Sequence, residues 1–287
     1  MALATPWSRA LGLDAPIVNA PMGGAAGGRL AAAVSRAGGL GMIGMGSSAT
    51  AASLRAEVAQ LDGLDRPFGI GLVHWVMAAE PELLEVALAA RPTLLCVSFG
   101  DDWTWVRAAQ AAGVPTASQV ATVAGARDAV AAGVDVVVAR GAEGGGHGEP
   151  AVGTLPLLAE VLDVVDAPVL AAGGIATPRA VAAVLAAGAA GAWVGTAFAA
   201  CAEALTSASA REALLTAAGD ATELTRQYDI AAGYRWPPHL PERVLRGSPV
   251  NAGQGVGSVR RPAPAAAVVG ALCEGAEALL RNWGPAE

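Results

Sequence analysis

Residues 168–198 read PVLAAGGIATPRAVAAVLAAGAAGAWVGTAF. The segment opens on a short apolar run, Pro168–Ala172, and breaks at Gly173-Gly174. It restarts at Pro178 as an Ala-rich stretch that ends at Ala187-Gly188. Proline suits the first turn of a helix and glycine its end, so this stretch is bracketed as a helix from both sides. A second apolar run, Ala192–Gly195, follows. Strand, glycine turn, helix, glycine turn, strand is the unit of a parallel sheet. Strands covered by helices are apolar on both alternations, as these are.

The same unit recurs outward from this segment. AAGVP at 111–115, AAGVD at 131–135 and AAGAA at 186–190 each close a helix on glycine and open a strand. Strands are expected at Pro16–Ala20, Leu40–Gly44, Phe68–Val73, Thr93–Phe99, Val114–Gln119, Val134–Ala139, Pro168–Ala172 and Ala192–Gly195. Helices are expected at Leu30–Ala37, Ala51–Leu61, Pro81–Ala90, Thr104–Ala112, Val123–Ala132, Leu155–Val165 and Pro178–Ala187. So many alternations within about 200 residues predict an α/β fold closed as a (β/α)8 TIM barrel rather than an open sheet. The texture changes over 203–254, which hold Tyr228, Tyr234, Trp236 and Pro237-Pro238. This stretch reads as a small inserted cap or substrate segment near the C-terminus. Ala265–Leu280 then resumes as a last barrel helix, so residues 1–202 and 255–287 are expected to form the barrel.

Composition excludes several functions. With 54% hydrophobic residues in 287, the chain is too apolar for disorder. All 18 basic residues are arginine, against 25 Asp plus Glu, for a net charge of −7. No long basic run exists to grip nucleic acid. The absence of lysine excludes Schiff-base chemistry and any P-loop lysine. A bound phosphate must therefore be held by backbone N–H groups, hydroxyls or Arg. Cys96, Cys201 and Cys273 are too scattered for a zinc site or a disulfide scaffold, and no metal site is expected. Buried thiols in a reducing cytoplasm explain them. Met1–Leu13 lacks the basic and apolar regions of a signal peptide. The uncharged run Ala180–Ala202 is interrupted by Gly188, Gly191 and Gly195 and is expected to be helix plus strand, not a membrane span.

In a barrel of this type the active site lies at the C-terminal ends of the strands, with phosphate often bound after the seventh and eighth. Gly173-Gly174-Ile175-Ala176-Thr177-Pro178 and Gly195-Thr196 occupy those two places. Glycine lets a backbone approach an anion closely, and a helix start offers free N–H donors. The sixth strand runs into Gly141-Ala142-Glu143-Gly144-Gly145-Gly146-His147-Gly148. Such a loop can lie flat against a planar ligand, and imidazole titrates near neutrality, as proton transfer requires. Asn19-Ala20-Pro21-Met22 shapes a turn at the end of the first strand, and Gln119 places an amide where a core residue would be apolar. His74 follows the third strand and is either a second site histidine or a loop residue. Asp101 and Asp102 precede a helix and are expected to cap it.

These motifs together (APMGG at 20–24, AGGLGMIG at 37–44, FGIGL at 68–72, SQVAT at 118–122, the glycine–histidine loop, residues 168–198, and AGQGVG at 252–257) resemble the nitronate monooxygenase, or 2-nitropropane dioxygenase-like, family. The chain is similar, less closely, to flavin-dependent enoyl-acyl-carrier-protein reductases. The resemblance covers about residues 16–201 and 251–280. It implies an FMN-bound TIM barrel in which Ala20, Pro21 and Met22 line the flavin and Gln119 bonds its ring edge. Gly173, Gly174, Gly195 and Thr196 would hold the phosphate, Ala172 would be a further cofactor-binding residue, and Gly145 and Gly146 would bring the loop to the flavin. His147 would act as the base and Gln254 would close the site. The implied reaction oxidises alkyl nitronates, or nitroalkanes after proton removal, with O2 to a carbonyl compound and nitrite. Three features differ from the family pattern: Gly69-Ile70-Gly71 stands for Gly-Val-Asn, three glycines follow Glu143, and no Arg follows Gly195-Thr196. An NAD(P)H-dependent flavin reductase acting on enoyl thioesters or quinones, and a non-catalytic flavin-binding protein, remain the alternative readings. The expected partners are a small-molecule substrate and O2, with neither nucleic acid nor membrane; homo-oligomerisation stays open.

Overall fold

The computed structural model describes residues 3–282, so residues 1–2 of the leader reading and 283–287 of the expected barrel lie outside it. Its strands, in chain order, are β1 (Ile17–Asn19), β2 (Gly41–Gly44), β3 (Phe68–Val73), β4 (Leu94–Ser98), β5 (Thr116–Val120), β6 (Val136–Arg140), β7 (Gly146–His147), β8 (Val169–Ala172), β9 (Gly191–Val194), β10 (Thr222–Thr225) and β11 (Glu242–Leu245). Eight of these form one parallel sheet in the order β1-β9-β8-β6-β5-β4-β3-β2. A parallel bridge between Val18 and Leu40 joins β1 to β2, which closes the barrel. The Asn19 carboxamide reinforces this seam: Met42 N–H donates to its Oδ1 at 2.8 Å and its Nδ2 donates to the Met42 carbonyl at 2.9 Å.

Alternation sorts each strand into two buried sets. Val18, Met42, Leu94, Cys96, Ala117, Val136, Val138, Leu170, Ala172 and Trp193 fill the interior, and Trp7 and Leu13 join them from the N-terminal segment. Ile17, Ile43, Leu95, Val97, Val137, Ala139, Val169, Ala171 and Val194 face the surrounding helices. Strands buried on both sides read as continuous apolar runs for this reason. The covering helices are Gly28–Arg36, Ala51–Ala59, Glu82–Ala89, Thr104–Ala111, Val123–Ala131, Thr154–Leu162, Pro178–Ala186 and Ala265–Arg281. The last packs on Pro178–Ala186, with Gly275 against Pro178. Thr122 and Thr177 cap two of them, accepting from Gly125 N–H and Ala180 N–H at 3.1 Å each. Asp102, expected to cap the next helix, stands one residue before the N-cap Trp103 and accepts from Thr104 N–H at 2.9 Å. A helix absent from the sequence expectation, His74–Ala79, follows β3 directly.

The uncharged run divides into the end of Pro178–Ala186, β9 and the short helix Thr196–Ala199. Among the described residues no helix is long and apolar enough to cross a membrane. Cys96, Cys201 and Cys273 are free, the first two buried and the third half-buried. Burial pushes the Cys96 thiol up to about 12, so it is an inert packing group.

The segment after the barrel does not stand apart. Helix Ala208–Thr216, β10, helix Gln227–Ala232 and β11 fold over the strand ends. β11 pairs antiparallel with β10 on one side and with β7 on the other, and β7 is the glycine–histidine loop itself.

Candidate active site

The inward register continues to the rim of the barrel. Two residues beyond Val138 it reaches Arg140, two beyond Ala117 it reaches Gln119, and two beyond Val18 it reaches Ala20. Together with Ala172, these side chains form the floor of a cavity of about 1300 Å³. Ala20, Pro21, Met22, Gln119, Gly145, Gly146, His147, Ala172, Gly173, Gly174, Gly195 and Thr196 all line it. His74 and Gln254, expected near substrate, do not line it. His74 packs against Gly100 at the start of its helix, and Gln254 is exposed. What Gln254 contributes is its backbone N–H, which donates to the Glu143 carbonyl at 2.9 Å.

The two glycine turns differ in kind. Gly173 and Gly174 have φ of +115° and +67°, where a side chain is strained. A Cβ on Gly173 would lie 2.6 Å from Thr154 Oγ1. Gly195 has an ordinary φ of −102°, and a Cβ there would contact only Met22 Sδ at 3.6 Å and Ala20 Cβ at 3.8 Å. It is therefore open to the cavity. The Thr196 hydroxyl accepts from Gly253 N–H at 3.0 Å, which leaves its own O–H to donate. Gly71, where the family pattern has Asn, lies against Pro21: a Cβ would sit 2.2 Å from Pro21 Cβ. The turn that carries Met22 fills the space that an amide would take.

The glycine–histidine loop is held from several sides. Arg140, buried at the end of β6, donates through Nη2 to the carbonyls of Gly144, Gly145 and Gly146 at 3.0–3.1 Å. Arg243 donates to the Ala142 carbonyl at 3.1 Å. The Glu143 carboxylate accepts from Thr154 N–H at 2.9 Å and from its hydroxyl at 2.8 Å. Burial, and the nearby Arg243 charge, lower Arg140 to about 10, against the raising effect of Glu143; the guanidinium stays charged at neutral pH.

His147 is fixed on three sides. Pairing of β7 with β11 sets Glu242 opposite it. Its Nε2 lies 2.8 Å from Asp229 Oδ2. Its ring stacks on Trp236 with centroids 3.5 Å apart and planes within 4°. Trp236 is anchored by donation from its Nε1 to Ser47 Oγ at 2.9 Å and by edge contacts with Phe99 and Trp75. Burial pushes the His147 pKa below its usual value; the hydrogen bond and charge of Asp229 oppose this, and Arg140 adds to it. The lowered pKa favours the neutral imidazole at pH 7. With Nε2–H donated to Asp229, Nδ1 keeps its lone pair. Burial, and the Asp229 charge, raise Glu242 to about 7, against a backbone hydrogen bond from Asp229.

Arg140, Asp229 and Glu242 line the cavity and were not expected from sequence; Trp236, named as part of the cap or substrate segment, lines it too. A charge at the inward position of a Val-rich strand would have singled out Arg140. For Asp229 and Glu242, nothing local distinguishes them within 203–254.

A closed parallel barrel with an imidazole and paired glycine turns at its strand ends defines an α/β-barrel enzyme with a cofactor-sized pocket. Comparison with known proteins gives the family: the nitronate monooxygenase model matches residues 5–82 and 72–233, and the chain belongs to that family of flavin-dependent oxidoreductases. A nitronate monooxygenase of Pseudomonas aeruginosa is 35% identical over 286 residues, covering 83% of this chain and 80% of the relative. Among solved structures, FabK from Thermotoga maritima superposes with a TM-score of 0.87 at 28% identity, covering 98% of both chains. Nitroalkane oxidase from Streptomyces ansochromogenes superposes at 0.83 with 30% identity, covering 96% of this chain and 99% of that one.

Proposed function

We propose that this chain is an FMN-dependent nitronate monooxygenase. It oxidises alkyl nitronates, and nitroalkanes after deprotonation, with O2 to a carbonyl compound and nitrite. The observation that carries the reading is an imidazole, held 2.8 Å from a carboxylate, on the wall of a glycine-lined cavity. The cavity exceeds the roughly 300–1,000 Å³ of sites for drug-sized ligands, which leaves room for flavin and substrate together.

The residues present fit FMN. Gly174 and Gly195 present bare backbone to the cavity, and Thr196 has a free O–H. In a lysine-free chain these donors suit a phosphate at Gly173-Gly174 and Gly195-Thr196. Ala20, Pro21 and Met22 give an apolar wall for the ring system, and Gln119 offers its amide to the ring edge. FMN, when bound, supplies the redox chemistry between substrate and O2.

The protein contributes a base and its orientation. His147 Nδ1 takes the α-proton of a neutral nitroalkane, and Asp229 stabilises the imidazolium that results. Trp236 holds the ring plane. Such a base contributes roughly 10²–10⁴-fold in rate.

His147→Ala tests this. The variant should keep its flavin, because the phosphate groups lie on other loops, and should lose roughly 10²–10⁴-fold in turnover of a neutral nitroalkane. Turnover of the pre-formed nitronate should fall far less, since that substrate has already lost its proton. Equal losses on both substrates would remove the base role and leave His147 orienting substrate or oxygen.

A further inference from the structure

The side chains of Asp229 and Glu242 converge with that of His147, and one of them has an oxygen with nothing to bond. A nitrogen of His147 and single carboxylate oxygens of Asp229 and Glu242 all lie within 4.8 Å of one another. They come from different elements: β7, the helix Gln227–Ala232, and β11. Glu242 is 5% exposed, and its Oε1 is buried without a hydrogen-bond partner. A buried polar atom left unpaired costs about 1–3 kcal/mol, and in native proteins it commonly marks a water or an ion. The neighbouring arginines do not serve it: the hydrogen bonds of Arg140 run to loop carbonyls, and those of Arg243 run to Ala142 and Thr222.

We propose that His147, Asp229 and Glu242 form a three-ligand site for a divalent cation of the zinc type. One imidazole nitrogen and two carboxylate oxygens are a donor set that zinc accepts, with a fourth position left to water. Bond lengths of about 2.0–2.2 Å place tetrahedral ligands about 3.4 Å apart, and the separations here, 2.8 Å at the His147–Asp229 pair and no more than 4.8 Å elsewhere, bracket that value. Two carboxylates match the two charges of the dication. The nitrogen ligand and the small donor count disfavour calcium and magnesium, which take more oxygen ligands and waters.

Binding replaces the hydrogen bond between His147 and Asp229 with two metal bonds. Nε2 gives its lone pair to the metal, and the ring proton moves to Nδ1. The imidazole then has no lone pair for substrate, so the metal is an inhibitor of proton abstraction. This consequence rests on the function proposed above, whereas the binding itself does not.

The test titrates zinc chloride into the full-length, flavin-loaded protein after chelator treatment and desalting, followed by calorimetry. One zinc per chain is expected. Glu242→Gln and Asp229→Asn should each weaken it by tenfold or more. His239→Ala, at an exposed histidine of the same segment, should leave it unchanged. Absence of saturable binding, or one-to-one binding indifferent to both ligand variants, overturns the site. If Glu242→Gln does not fold, Asp229→Asn decides, because asparagine can still accept from Nε2–H. Zinc should also suppress nitroalkane turnover reversibly. Zinc bound as expected to a protein without nitroalkane turnover would speak against the nitronate reading and leave the metal site standing.

Discussion

Adding one methyl group at Gly195 probes the proposed phosphate site with little disturbance of the fold. The backbone there has φ −102°, so alanine meets no left-handed penalty. Its Cβ would touch Met22 Sδ at 3.6 Å and Ala20 Cβ at 3.8 Å, both ordinary contacts. Stability of the flavin-free protein should therefore change by no more than about 0.5 kcal/mol. All three residues line the cavity, so the methyl takes space from a ligand seated there. Overpacking a fitted contact costs about 1–3 kcal/mol, which at about 1.4 kcal/mol per tenfold weakens FMN binding roughly 5–150-fold. The assay is quenching of flavin fluorescence on titration into apoprotein, run beside thermal unfolding of the same samples. Unchanged FMN affinity in a normally folded Gly195→Ala protein would refute the placement of phosphate beside Gly195-Thr196.

Two further perturbations address the other loops. Gly174→Ala should lose both stability and flavin, whereas Gly113→Ala, at the same φ of +67° but in a turn between a helix and β5, should lose a similar stability of about 1–2 kcal/mol and keep its flavin; equal FMN affinities would show that Gly174 matters only for folding. Arg140→Met strips the carbonyls of Gly144, Gly145 and Gly146 of their donor and should cost on the order of 2–4 kcal/mol, with faster amide hydrogen exchange across 144–148; unchanged exchange there would mean that β11 holds the loop without Arg140.

The barrel was legible because its signals are local. Glycine at helix ends, proline at helix starts and apolar runs between them depend on a few neighbouring residues, and all eight strands lie within two residues of where these signals set them. The helix His74–Ala79 was not legible, since its N-cap, Val73, makes no side-chain hydrogen bond and the helix follows β3 without a turn. The glycine turns and His147 were legible for the same local reason. Arg140 was within reach, as the next inward residue after Val136 and Val138. Asp229 was not: it meets His147 across 82 residues of chain, through a fold of the cap that no local pattern specifies. The substrate roles expected of His74 and Gln254 rested on position after a strand and on the resemblance, and neither side chain reaches the cavity.

The cap's influence on the site follows from the register of one short strand pair. β11 sets Glu242 opposite His147 and Arg243 opposite Gly146. Side chains alternate faces along a strand, so a slip of one residue would exchange a carboxyl for a guanidinium beside the imidazole. A cation there would deepen the depression of the His147 pKa and remove a ligand from the proposed metal site. Arg243 resists the slip by donating to the Ala142 carbonyl and the Thr222 hydroxyl, one on the loop and one on β10. The residues that hold the register are thus distinct from those that act in the cavity. The barrel rim presents the glycine turns that suit a cofactor, and the segment after it, through Asp229, Trp236 and Glu242, fixes the tautomer, plane and charge of the one histidine beside them.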